Sequence, residues 1–235
     1  MLNEIKKELA DLGNKEKSEI YQRFFKTGPG QYGEGDIFLG LTAAEQKSVV
    51  KKYIDLSLED LQKLLDSKIH EHRSSALAIL TKKYKKSNNK KEIIDFYLKN
   101  TKRINNWDLV DCSAPHILGD YLFNNQEKKK ILYKLAKSDN LWEKRISILA
   151  TFSFIRQNEY EDTLNISEIL LNDKHDLIHK AVGWMLRELG KRDQDVEEEF
   201  LKKYHKTMPR TMLRYSIERF SEEKRKFYMK KWKEK

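Results

Sequence analysis

Cysteine is nearly absent: Cys112 is the only one in 235 residues, so no internal disulfide can form and a reducing setting fits best. Beside Asp111, and with no matching histidine arrangement, this lone thiol is also a poor nucleophile candidate. The chain holds three prolines and nine glycines and shows no Ser/Gly linker. Little in it would separate one domain from another. Long apolar runs are missing too. Leu2, Ile5, Leu9 and Leu12 fall at helical spacing with charges between them, which is neither a signal segment nor a membrane span. A soluble cytoplasmic protein without membrane association is expected.

What is abundant is Leu, Lys, Glu and Ile, and apolar residues recur with a period near 3.6 almost throughout. Start signals punctuate the pattern: Thr42 with Glu45, Ser57 with Asp60, Ser138-Asp139 before Leu141, and Ser221 before Glu222-Glu223. About a dozen short helices in one all-α domain spanning residues 1–235 follow from this.

Three segments look alike: His72 to Leu80, Lys144 to Ala150, and His179 to Leu186. Their basic residues Arg73, Arg145 and Lys180 suit one repeat of a helix pair, with Trp107 to Asp111 in the intervening unit. The expected architecture is a HEAT-like helical-repeat solenoid, an α-α superhelix. A basic residue at the start of each second helix would line a concave groove, with Arg73, Lys144, Lys180 and Arg187 along it. The competing view is that amphipathic helices resemble one another simply because they share a pattern.

One stretch breaks the helical pattern. Residues 24–40 hold five of the nine glycines between short aromatic or β-branched runs, as a short β-hairpin or a glycine-rich loop would. Gly28, Gly30 and Gly33 satisfy G-x-G-x-x-G, but no strand precedes them and no helix opens at Gly33, so a dinucleotide site is not expected. A protruding hairpin carrying Lys26, Gln31 and Tyr32 would probe a nucleic-acid groove; a purely structural loop is the alternative.

The net charge is +10. From Lys202 to Lys235 there are 13 Lys/Arg against 4 Asp/Glu, so this tail holds nearly all of the excess. Arg210 and Arg214 lie in it, among Tyr204, Tyr215, Phe220, Phe227, Tyr228 and Trp232. Such a surface attracts a polyanion; a solvated charged helix face is the bland reading.

Trp107 and Asp111 are four residues apart, so a helix puts both on one face. A fixed carboxylate beside an indole suits scission of an N-glycosidic bond, where the sugar develops oxocarbenium character. Asp111 would stabilise that charge and orient water, Trp107 and Trp184 would pack against sugar and backbone, and Arg145 would grip a phosphate. Buried tryptophans and a salt-bridged aspartate are the structural alternative. His175 and His179 form an i, i+4 pair without the glutamate or third ligand of a metal site. His70 and His72 suggest no joint role. No metal and no cofactor are expected.

Asn106-Trp107-Asp108-Leu109-Val110-Asp111, Leu118-Gly119-Asp120, Ser138 to Arg145 and Lys180 to Glu188 resemble the core motifs of the DNA alkylation repair family, the AlkD-like HEAT-repeat DNA glycosylases. The resemblance covers residues 20–220. It implies that Asp111 sits at the scissile bond, that Trp107, Arg145 and Trp184 contact the lesion nucleotide's backbone, and that positively charged N3- or N7-alkylated purines are excised without a base pocket. Active members commonly read Leu-Gly-Ile-Gln-Thr-Pro where this chain reads Leu39-Gly40-Leu41-Thr42-Ala43-Ala44, and the segment from Lys26 to Asp36 looks like an insertion. The expectation is a monomeric, nucleoid-associated glycosylase acting on double-stranded DNA. The alternative is a non-catalytic protein that recognises branched or distorted DNA with the hairpin in a groove.

Overall fold

Helix follows helix from Leu2 to Met229 in the computed structural model, which describes residues 1–230. No β-strand occurs among the described residues; a single parallel bridge joins Ile37 to Ile69. The protein has the all-α helical-repeat fold. Its residues group into two compact units, divided between Ser113 and Ala114.

The first unit contains α1 (Leu2–Asp11), α2 (Lys15–Phe24), α3 (Ala43–Lys52), α4 (Leu58–Leu65), α5 (His70–Lys86), α6 (Lys90–Lys99) and α7 (Trp107–Ser113). Local chemistry sets several of the starts. At α3, Thr42 Oγ1 accepts from the Glu45 backbone N–H while Glu45 accepts from the Thr42 N–H at 2.7 Å, a reciprocal capping box. Ser57 Oγ accepts from the Asp60 N–H at 3.1 Å and opens α4. Amphipathic faces then close on a core of Ile5, Leu9, Val49, Leu61, Leu64, Ile79 and Leu80, all inaccessible to solvent.

Residues 25–42 form a glycine-rich loop, not a hairpin, and so carry no strand that could enter a groove. Its two arms meet at one backbone bond, Gly33 N–H to Lys26 O. The second arm instead joins the start of α5: Ile37 N–H donates to Lys68 O at 3.0 Å and His70 N–H to Ile37 O at 2.8 Å. The Glu71 carboxylate accepts from the backbone N–H groups of Leu39, Gly40 and Leu41. Gly40 has φ +87°, and a Cβ there would stand 2.2 Å from Asn14 O. Only glycine fits this crossing over α2.

The second unit opens with a five-residue π turn, Pro115–Gly119, then α8 (Asp120–Phe123), α9 (Lys130–Ala136), α10 (Leu141–Ala150), α11 (Phe152–Ile155), α12 (Glu161–Ile169), α13 (Asp176–Gly190), α14 (Gln194–Tyr204), α15 (Arg210–Ser216) and α16 (Glu222–Met229). The cap expected at Ser138-Asp139 falls on Asn140, whose Oδ1 accepts from the N–H groups of Trp142 and Glu143; Ser138 supports it by accepting the Asn140 N–H. Helix α13 is central, packing on α10, α12, α14 and α15. Gly183 permits the close approach of α13 to α15, since a Cβ would meet Met212 O at 2.4 Å.

The aromatic residues of the basic tail turn largely inward. Tyr228 and Phe220 are buried and meet edge to face, and Tyr228 also meets His205. Phe227 is exposed. Trp232 and the last lysines lie outside the described residues.

Candidate functional site

Helix α7 begins where buried Asn106 accepts the Trp107 backbone N–H at 2.8 Å. Trp107 and Asp111 follow one turn apart, both half-buried. The Trp107 indole stacks on Phe25 (5.2 Å, 14°), and Phe25 stacks in turn on Phe38 (4.7 Å, 20°). Asp111 lies close enough to Tyr97 to add to the effect of burial in pushing that phenol's pKa up.

Beneath this aromatic stack is a charged network that sequence reasoning did not find. His70 Nε2 donates to Asp108 at 2.7 Å, its Nδ1 lies 3.6 Å from Asp36, and Arg73 pairs with Asp36 at 2.7 Å. Burial opposes charging of His70, but the carboxylates of Asp108 and Asp36 outweigh it and hold the imidazole pKa above its usual value. Asn106 also points its Nδ2 at Asp36. One cluster thereby binds the loop, the start of α5 and the start of α7.

Arg73, expected to line a groove, is 3 % exposed and serves this cluster. Its other guanidinium nitrogen donates to Ser67 O at 2.8 Å. A buried guanidinium needs such partners, and once they are made it has no path to a surface phosphate. Lys26 and Gln31 are exposed on the loop, where Gln31 Oε1 accepts the Gly28 N–H; Tyr32 is half-buried.

The other expected residues stand in the second unit. Arg145 is 5 % exposed and donates to Leu177 O on α13 at 2.6 Å. Trp184 lies seven residues after Leu177, two turns along the same face of α13. Its indole N–H donates to Glu188 at 3.1 Å. Arg145 therefore steadies the helix that presents Trp184. Lys144 pairs with Asp173, Lys180 with Asp176 and Arg187 with Glu218. Arg210 and Arg214 are exposed on α15. His175 caps α13 through Nδ1 and His179 meets Asp173 O. Among the described residues no cluster suits a metal ion, and no helix is long and apolar enough to cross a membrane.

The family model for the DNA alkylation repair enzyme matches residues 5–220. The chain belongs to the DNA alkylation repair enzyme family. No curated protein matches it. Among solved structures, it is similar to a predicted DNA alkylation repair enzyme from Enterococcus faecalis, with a TM-score of 0.72 and 16% identity over 89% of this chain and 97% of that one. At that identity the likeness carries the fold alone. Membership suggests a role in DNA repair, with DNA as partner, and Trp107 and Asp111 fall inside the matched span.

Proposed function

We propose that the protein is a monofunctional DNA glycosylase that hydrolyses the N-glycosidic bond of N3- or N7-alkylated purines in duplex DNA. The observation that carries this reading is the half-buried Trp107–Asp111 pair on one face of α7, in a chain of the alkylation repair family. An alkylated purine already carries positive charge and leaves readily. The protein need then only stabilise the sugar as it becomes cationic, and Asp111 does this electrostatically while orienting the attacking water. Trp107 packs its indole against the sugar, held in place by Phe25.

In this reading Trp184 meets the backbone, and Arg145 positions it through Leu177. Exposed Lys26, Arg210 and Arg214 supply cationic surface for the phosphates, a sequence-independent attraction that weakens steeply with salt, and Lys144, Lys180 and Arg187 join them by exchanging the carboxylates of Asp173, Asp176 and Glu218 for phosphate oxygens. Release of methylated purines from alkylated duplex, by the wild type and by Asp111→Asn, tests the reading.

A further inference from the structure

His70 is joined to Trp107 by three separate routes, all within the first unit. Its Nε2 donates to Asp108, the residue after Trp107, at 2.7 Å. Its Nδ1 lies 3.6 Å from Asp36, whose carboxylate also receives the Nδ2 of Asn106, the residue before Trp107. Asn106 in turn accepts the Trp107 backbone N–H. The third route is a column of rings. The imidazole stacks on Phe38 at 4.4 Å and 23°, Phe38 on Phe25, and Phe25 on the Trp107 indole. One buried side chain on α5 thus fixes the residues on both sides of Trp107 and the face against which its indole rests.

Apolar side chains would join α5 to α7 at lower cost, because burying ionic groups gives back in desolvation much of what their attraction gains. What a directional network adds is orientation: hydrogen bonds and stacked rings fix angles as well as distances. Helix α7 is seven residues long, so an orientation set in its first turn carries to Asp111 one turn on.

We propose that His70 is a positioning residue for base release, holding the first turn of α7 so that the Trp107 indole and the Asp111 carboxylate meet the sugar together. The inference rests on the glycosylase reading for the reaction it serves. His70 touches no substrate in it and acts through Asp108, Asn106 and the ring column.

The chemistry of the imidazole gives this role a pH dependence. The charged groups that face the ring are Asp36 from the loop, Asp108 from α7 and Arg73 from its own helix. The Glu71 carboxylate is turned to backbone N–H groups of the loop, and the Phe25 ring closes the side toward α2. An imidazolium has two N–H donors, one for each carboxylate; the neutral ring keeps one and turns a lone pair toward the other. Loss of the proton therefore slackens one side of the clamp. Burial works against the charged form and the two carboxylates work for it, with a net rise in pKa. The clamp is complete at mildly acidic pH and loosens as pH climbs through the folded value.

Single-turnover release of 7-methylguanine from alkylated duplex by the full chain, at saturating protein from pH 5.5 to pH 9, compares the wild type with His70→Gln and Asp108→Asn. The wild type is expected to exceed His70→Gln by about tenfold or more at pH 5.5, with the advantage shrinking as pH rises and DNA affinity equal in the two. In Asp108→Asn, which keeps an acceptor for Nε2 but removes a charge, the fall in rate should move to lower pH. A second readout needs neither these variants nor catalysis. The indole N–H signal of Trp107 in NMR spectra of the wild type, assigned by its disappearance in Trp107→Phe, should shift with the same midpoint as the His70 imidazole signals. A wild-type advantage constant with pH, or a Trp107 signal indifferent to the titration of His70, overturns the proposal. The two readings fail separately: base release with a constant advantage removes the role of His70 alone, and a coupled Trp107 signal without base release removes the enzyme alone.

Discussion

His70 and Asp108, 38 positions apart in sequence, meet at 2.7 Å under the aromatic stack that carries Trp107. Because the folded state raises the His70 pKa, the stabilisation from its charged form is fully present below the unfolded value near 6.5 and fades as pH climbs through the folded value. The stability lost in His70→Gln should therefore be larger at pH 5.5 than at pH 8.5. Urea unfolding at the two pH values measures it. An equal loss at both would mean that His70 stays neutral in the folded chain.

Glu197 on α14 predicts the opposite trend in the second unit. It is 1 % exposed, its Oε1 has no hydrogen-bond partner, and burial raises its pKa to about 9, with Glu198 adding to the rise. The folded state thus favours the protonated form, and stability falls as pH rises from the ordinary carboxylate range toward 9. Glu197→Gln removes the titration. Relative to the wild type, the variant should gain roughly 4 kcal/mol between pH 5 and pH 8, at about 1.4 kcal/mol per unit. A constant difference would contradict the assignment.

Gly183→Ala reverses a familiar rule. In an isolated helix alanine is better than glycine by roughly 1 kcal/mol, but here the added methyl would meet Met212 O at 2.4 Å and Tyr215 Cβ at 2.6 Å. Helix α13 would have to move off α15. A net destabilisation of about 1–3 kcal/mol is expected, visible as a lowered Tm; a raised Tm would show that the two helices part freely.

Gly40→Ala combines a left-handed backbone with a collision against Asn14 O. A cost of about 2 kcal/mol or more is expected. The strain falls on the loop that Glu71 anchors, so limited proteolysis should cut residues 25–42 before the rest of the chain. Uniform resistance would mean that the loop is held by other contacts.

Local signals were legible in the sequence and distant ones were not. Thr42 with Glu45, Ser57 with Asp60, and Ser221 before Glu222-Glu223 all open helices as expected, Ser221 by accepting the Lys224 N–H, because the partners lie within one turn. The resemblance carried by the segments around Trp107, Arg145 and Trp184 led to the family directly. Of the two readings left open for residues 24–40 the glycine-rich loop holds, because the partner of Ile37 is the Lys68 to His70 segment, some thirty residues on, and not the arm that precedes the glycines. Arg73 and Arg145 looked like groove residues because charge and helix position are visible in sequence while burial is not. The Asp36, His70, Arg73 and Asp108 cluster went unseen for the same reason. Its one sequence hint is a polar His70-Glu71-His72-Arg73 run at a helix start, where an amphipathic face would have been expected.

The deciding measurement is release of methylated purines from alkylated duplex DNA, quantified for the wild type and for Asp111→Asn at matched folding and DNA affinity. Release by the wild type, reduced in the variant by about 100-fold or more, is the expected result for a carboxylate that stabilises a sugar cation. No release by a folded, DNA-binding wild type, or undiminished release by Asp111→Asn, would contradict it.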